Sequence, residues 1–504
     1  MKTCHSKKIL IALILIGCQS QSEVQNQVAD VFPEKLEQVM AAIEAAVPLA
    51  EKDPYRPIYH FRPPAQWMND VCGAFYYKGW HHIFFQFNPF AVKPGKNVGW
   101  GHARSKDLVN WEFLPPALLP DQGNGSVLDG SGSASFDPGG NPILFFTMTP
   151  VGFHNEKDPR SREQWAALPV DEDLIGWSRV DIGLAPGKSG VPEDIHRLWA
   201  DMFVFQAEGR SFAVFKESEG MVVEAQNPNL LEWKAVGRLD SIPGECPNLF
   251  PLDNKHVLIL STLPISYRIG RFDVDNITLD PETAEVRVLD YGPGSQINQS
   301  RPYNRGLYGT NVFKDAKGRS VLLGWVSGFQ DSRGWKGCMS LPRILTLDAD
   351  ENLLQTPIPE LTQLRGREFR TEGMIVTNEV RTIEEVNGDA LEIIAEFLAE
   401  DAEAFGLKIR QSEDGAAAIV IRYANGNLNV GGTDVPLTLH PESKSLKLRI
   451  FHDKSVLEVF INDGMTSVTR VYYAGENDLG VSVFAEGGSV TLKSLEAWEM
   501  KSIW

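Results

Sequence analysis

The sequence runs to 504 residues, long enough to bury more than one core, and its 43% hydrophobic and 23% charged residues are ordinary for a globular protein. A formal charge of -18 would repel a phosphate backbone, so no nucleic acid is expected as a partner, whereas a neutral glycan meets no such repulsion. Twelve Trp and 26 Phe belong mostly to cores, yet exposed aromatic faces also make flat walls for sugar rings.

The first predicted element is an export signal. Lys7 and Lys8 precede the apolar run Ile9 to Ile16, too short to cross a bilayer of about 30 Å as a helix. Leu15-Ile16-Gly17-Cys18 resembles the lipidation box of bacterial lipoproteins, so residues 1–18 are expected to be a lipoprotein signal ending at an acylated Cys18. Several acyl chains would anchor the chain firmly. With Gln19 and Ser20 following, that resemblance implies an outer-membrane lipoprotein of the bacterial envelope, facing periplasm or cell surface. An ordinary signal peptide cut nearby is the other reading of the same residues. Beyond Cys18 only Cys72, Cys246 and Cys338 remain, an odd set without metal-site spacing. No disulfide framework, metal or cofactor is expected, and nothing sets an oligomeric state.

Residues 19–54 read as a polar tether and a short helix, Glu34 to Val47, with Leu36, Val39, Met40, Ile43 and Val47 at helical spacing and Pro48 as its stop. It is expected to pack on the main body without a catalytic role. Over residues 55–357, short apolar runs alternate with Gly, Pro, Asp and Asn. Examples are His82 to Phe87, Ile143 to Met148, Met202 to Phe205, His256 to Ser261 and Ser320 to Trp325. This texture predicts an all-β domain, and its length favours a radial propeller over a single sandwich. Residues 358–504 predict a β-sandwich, with strands at Leu391 to Phe397, Ala417 to Ile421, Leu446 to Phe451, Ser455 to Ile461 and Val481 to Ala485. Bracing the first domain is its expected task, with glycan binding also open.

Two carboxylates stand out. Asp70, in Trp67-Met68-Asn69-Asp70, is expected just ahead of a turn and a strand starting near Gly73. It either caps that turn or, held beside an aromatic wall, attacks an anomeric carbon. Glu245, in Gly244-Glu245-Cys246-Pro247, is either an ordinary surface Glu or a general acid whose pKa is raised by a partly dry pocket.

These segments resemble glycoside hydrolase family 32, the invertases, levanases, inulinases and related fructosyltransferases. The family's first signature is similar to Trp67-Met68-Asn69-Asp70-Val71-Cys72-Gly73. His82 to Pro89, Trp100-Gly101-His102-Ala103, Ser105 to Trp111, Ser131-Gly132-Ser133-Ala134, Glu245-Cys246-Pro247, Met339 to Arg343 and Leu457 to Gly464 follow in the family's order. The resemblance runs from about Tyr59 to near the C-terminus. It implies a five-bladed β-propeller with carboxylates around an axial funnel, followed by a β-sandwich. By carry-over it implies Asp70 as nucleophile, Glu245 as acid/base and Asp201, in Trp199-Ala200-Asp201, as the transition-state stabiliser. Asn69, Trp67, Gln86, Trp111 and Ser133 are the implied substrate contacts, and Trp100 and Trp199 are further candidates for the pocket wall.

The reaction implied is retaining cleavage of a β-fructofuranosidic bond in a fructan or fructosyl oligosaccharide by double displacement, with carboxyl groups about 5–5.5 Å apart. Three departures bear on substrate. Val71-Cys72 stands for Pro-Asn, Ala200 for a sugar-gripping Arg, and Asn248 for the usual Asp. Either Arg197 or Arg333 is expected to replace the missing guanidinium from another position, or the pocket suits a different furanoside or an unusually linked fructan. A furanosidase for arabinose-like units and a catalytically weak glycan-binding lipoprotein are the alternatives.

Overall fold

The computed structural model describes residues 33–119, 126–150, 160–239, 242–280, 286–292, 306–331, 333–439 and 443–504. The export signal, Cys18 and most of the tether lie outside the described residues. Among the described residues no helix is long and apolar enough to cross a membrane.

The predicted helix spans Pro33–Ala50 and so passes Pro48, the residue expected to end it. Proline forfeits its own N–H bond, but the turn that holds it is fixed from outside. Ala46, Val47 and Ala50 pack against Ala65, Val326, Phe329 and Trp335. One turn earlier, Val39 and Ile43 join Tyr59, Phe61 and Met68. Tertiary burial therefore decides where this helix stops. Directly beyond it, Asp53 accepts from Arg333 Nη1 at 2.5 Å and from Trp335 Nε1 at 2.8 Å, clasping the helix end to residues 333–335.

Everything else regular among the described residues is strand, apart from short 3-10 turns. Five antiparallel meanders follow one another among the described residues. They open with Gln66–Tyr77, Ser126–Phe136, Ala200–Ala207, Glu245–Leu252 and Gly306–Lys314. Each opening strand packs against the opening strand of the next meander, and the fifth packs back on the first. These strands are buried along most of their described length because neighbours cover both faces. Gly306–Lys314 is buried at every position but the last, and its partner Ser320–Ser327 at every position.

Beyond Pro357 the strands form two sheets. One runs through Arg365–Thr377, Ala390–Ala399, Ser445–Asp453, Val456–Ile461, Thr466–Val471 and Ser489–Met500, the other through Val380–Asn387, Ala404–Gln411, Ile419–Ala424 and Gly480–Glu486. They face each other over a shared aliphatic core that includes Ile393, Leu407, Ile421, Leu448 and Val483.

A buried ion network joins the two regions. His60 bonds Asp453 through Nδ1 at 2.9 Å and Glu458 through Nε2 at 3.0 Å, all three side chains being fully buried. Asp453 also accepts the backbone N–H groups of Ile58, Tyr59 and His60. Arg343 donates to Glu458 at 2.6 Å, to Asp290 at 3.2 Å and to the hydroxyls of Ser467 and Thr469. Burial opposes the charge on His60, but the hydrogen bonds and charges of Asp453 and Glu458 outweigh it and raise its pKa to about 9.

A folded pKa above the ordinary 6.5 makes this His a source of stability that is complete below pH 6.5 and lost as pH rises through about 9. Asp453 and Glu458 are held below the usual carboxylate range, so their contribution is lost only in acid. Thermal unfolding of the wild type should therefore move to lower temperature between pH 7 and 10. His60→Gln, which removes the cation between two buried carboxylates while their bonds to backbone N–H groups and to Arg343 remain, should unfold earlier at pH 7 and lack that alkaline decline.

Candidate active site

The site begins with a backbone irregularity. Near its inner end, each of the five opening strands carries residues that its partner does not match. In the first, Asn69 and Asp70 fall between the pairs Met68–Phe87 and Val71–Phe85. In the second, Ser131 falls between Gly130–Thr147 and Gly132–Phe146. In the third, Asp201 and Met202 fall between Ala200–Lys216 and Phe203–Val214. In the fourth, Cys246 and Pro247 fall between Glu245–Ser261 and Asn248–Ile259. In the fifth, Gly309 and Thr310 fall between Tyr308–Trp325 and Asn311–Leu323.

A bulge re-aims a side chain out of the ladder while the strand continues. Asp70 accordingly lies inside a strand, not in a turn ahead of one. Asp201 and Cys246 have positive φ, at 58° and 44°, a strained backbone that surrounding structure must hold in place, and Gly309, at 51°, supplies the same conformation without strain.

The bulges face one cavity of about 1170 Å³, whose wall includes Asp70, Asp201 and Glu245. Ser131 Oγ donates to Asp70 Oδ2 at 2.8 Å. The Cys246 thiol lies 3.7 Å from Asp70 Oδ2 and 3.6 Å from Asp201 Oδ2, and the Cys246 N–H donates to the latter at 3.0 Å. Lys216 Nζ is 2.6 Å from Glu245 Oε1 and 3.8 Å from Asp201 Oδ2, while the Tyr308 hydroxyl donates to Glu245 Oε2 at 2.8 Å. The three acids are thus linked in one chain of contacts. Behind the first of them, Gly309 is obligatory, since a Cβ there would sit 2.2 Å from Asp70 Oδ1.

Burial, and next the charge of Asp201, push the Asp70 carboxyl up to about 6, against the pull of the Ser131 hydrogen bond. Burial and the charges of Asp201 and Asp70 also push the Cys246 thiol up, which keeps it protonated and a donor. For Lys216, burial disfavours the charge, but Asp201 and Glu245 outweigh that and hold the ammonium above its usual range. Carboxyl groups of such different surroundings in one cavity can divide the roles of nucleophile and proton carrier.

Trp67, Asn69 and Gln86 line this cavity as well. Trp111 does not. Its ring packs 5.5 Å from that of Phe61, in the core beneath the helix. Ser133 is also placed elsewhere, with its Oγ accepting from Val204 N at 3.0 Å, because the unmatched residue at 131 shifts the alternation and turns Ser131 to the cavity instead. Trp100 and Trp199 are fully buried core residues, and their indole N–H groups donate to Gly130 O and Arg162 O.

Of the three departures, Val71 and Cys72 are buried and fill apolar space. Asn248 donates to Cys246 O at 2.8 Å and to Thr310 O at 2.9 Å, and accepts from Val312 N at 2.8 Å. An ionised Asp could only accept, so the amide is what fastens the fourth strand to the fifth. Neither expected arginine stands in for the one missing at Ala200. Arg333 is held by Asp53 and by the rings of Tyr55 and Tyr473, and Arg197 is not in the cavity wall. The cations in the wall near Ala200 are Lys216 and Arg162. Both escaped the sequence reading, as did Ser131 as the partner of Asp70 and Tyr308 as that of Glu245. The one available signal was Lys216 itself, a lone charge ending the apolar run Phe212 to Phe215.

Acidic side chains on separate strands around one cavity are the equipment of a glycoside-cleaving enzyme. Residues 60–357 match the glycosyl hydrolases family 32 N-terminal domain and residues 360–499 the family 32 C-terminal domain. The levanase of Bacillus subtilis (strain 168) is 28% identical over 515 residues, covering 89% of this chain and 71% of that protein. The acid beta-fructofuranosidase of Vigna radiata var. radiata is 28% identical, covering 89% and 80%. The crystal structure of fructan 1-exohydrolase IIa from Cichorium intybus superposes with a TM-score of 0.78 at 24% identity, covering 89% of this chain and 98% of that one. The chain belongs to glycosyl hydrolase family 32.

The Asp70 carboxyl, read in carboxyl infrared difference spectra between wild type and Asp70→Asn, should titrate near pH 6 in the empty protein. Ser131→Ala removes the hydrogen bond that favours its charged form, so the midpoint should move upward.

Proposed function

We propose that the protein is a retaining β-fructofuranosidase acting on fructans or fructosyl oligosaccharides, and that its five meanders are the blades of a five-bladed propeller followed by a β-sandwich. One observation carries the reading. Asp70, Asp201 and Glu245 share one cavity and are connected through the Cys246 thiol and the Lys216 ammonium. The levanase and fructofuranosidase relatives support the substrate class.

In the first step Glu245 gives a proton to the departing glycosidic oxygen while an Asp70 oxygen bonds to the anomeric carbon, C2 of the fructosyl unit. In the second, Glu245 takes a proton from water, whose oxygen displaces Asp70 with net retention. Asp201 accepts hydroxyl hydrogen bonds that strengthen as oxocarbenium character grows. The cavity wall gives Asp70 a donor at Ser131 that disperses charge on the carboxylate whenever it is displaced.

The test is a panel of levan, inulin, sucrose and arabinose-containing furanosides offered to wild type, Asp70→Asn and Glu245→Gln. Released fructose is expected from wild type, with turnover lowered at least about 100-fold in either variant and unchanged circular dichroism. Pentose release, or equal turnover in all three proteins, would overturn the reading.

We further read Cys18 as the site of lipid attachment, an inference from the residues around it alone. A bacterial host fed an alkyne-tagged palmitate should label the wild-type chain and leave Cys18→Ser unlabelled; equal labelling of both removes the anchor.

A further inference from the structure

A cation in contact with the proposed acid/base comes from a place the sequence does not advertise. Lys216 is the register partner of Ala200 on the adjacent strand of the third meander. Directly opposite residues lie about 5 Å apart at Cβ, so the two side chains share one space. Ala200 uses almost none of it. Phe212, Ala213, Val214 and Phe215 are completely buried, which fixes the strand that delivers Lys216. Its side chain lines the cavity. There Nζ lies 2.6 Å from Glu245 Oε1 and 3.8 Å from Asp201 Oδ2.

With the Tyr308 hydroxyl 2.8 Å from Oε2, both oxygens of Glu245 are engaged by donors. A carboxylate held at both oxygens keeps one orientation.

We propose that Lys216 is a positioning residue for Glu245, reaching across from the strand opposite Ala200 to fix the orientation of the acid/base and to set the upper pH limit at which it can donate a proton. This rests on the reading of Glu245 as acid/base. Of the three donors of the ammonium, one is given to Glu245 Oε1, with Asp201 in ion-pair range, and the small residue at 200 leaves room for the lysine stem beside it. A cation beside a carboxyl group favours its charged form, so an enzyme with Lys216 loses its general acid at a lower pH than one without it. The other groups that bear on Glu245 are Asp70 and Asp201 from their own bulges, the neighbouring Cys246, Tyr308 from the fifth strand, and Arg162 in the cavity wall. Of these, Lys216 is the ammonium in ion-pair contact with it.

The test is the pH dependence of kcat/KM on a fructosyl oligosaccharide for wild type, Lys216→Met and Lys216→Arg. Methionine keeps the length of the stem and removes the charge. Lys216→Met should move the alkaline limb upward by about one pH unit or more, with kcat lowered at the wild-type optimum. Lys216→Arg should return the limb to within about half a unit of wild type. Lys216→Gln, a polar replacement, guards against a folding defect and should behave as the Met variant does. An unmoved alkaline limb in the Met and Gln variants, with activity lowered evenly at every pH, would make Lys216 merely structural and overturn the proposal while leaving the fructosidase reading standing. Wild type that turns over no fructoside would overturn that reading and this proposal with it.

Discussion

The active site depends on a failure of pairing. Five strands approach a common cavity, and at the same level each carries residues its neighbour cannot match. A regular ladder would send alternate side chains into the spaces between meanders. The unmatched residues instead turn Asp70, Ser131, Asp201 and the Cys246 thiol toward one another. Strain at Asp201 and Cys246, both with positive φ, is held by the apolar strands on either side. Chemistry here is a product of register.

That register needs a rigid surround, and the second region supplies one side of it. The network of His60, Asp453, Glu458, Arg343 and Asp290 ties the segment leading to Trp67, the fourth and fifth meanders and a strand pair of the C-terminal sheet to one another without a water-exposed member. Buried ion pairs are poor sources of net stability. Their directional demands nevertheless fix how two bodies of strands meet, which apolar contacts alone do loosely. The expectation that the C-terminal strands brace the rest has this physical content.

Much of the architecture could be read from residues. Runs such as His82 to Phe87 and Ser320 to Trp325 are apolar, bounded by turn formers, and became strands because burial on both faces suits them. The acids were legible as candidates through their neighbours. What could not be read was anything that depends on pairing. Ser133 rather than Ser131 looked like the cavity residue because parity along a strand flips at an unmatched position. Trp111 looked like a wall and instead packs, half-buried, against the core away from the cavity, since aromatic character does not say which face a strand turns inward. Pro48 looked like a helix stop because its local cost is visible and the packing of Ala50 is not. Lys216 was missed for the same reason: its neighbour in space, Ala200, is sixteen positions away in sequence.

Gly309 gives the site an unequal capacity for change. Beside Asp70 the backbone of the fifth strand leaves no space for even a methyl group, and Asn248 knits the fourth strand to it by donating to Thr310 O while accepting from Val312 N, a pair of roles that an amide fills and a carboxylate does not. On the third strand, by contrast, an alanine and a lysine occupy a shared volume that other pairs of side chains could divide differently. Diversification of what the cavity accepts is therefore channelled to one sector of its rim, with the sector around Asp70 closed to evolutionary experiment.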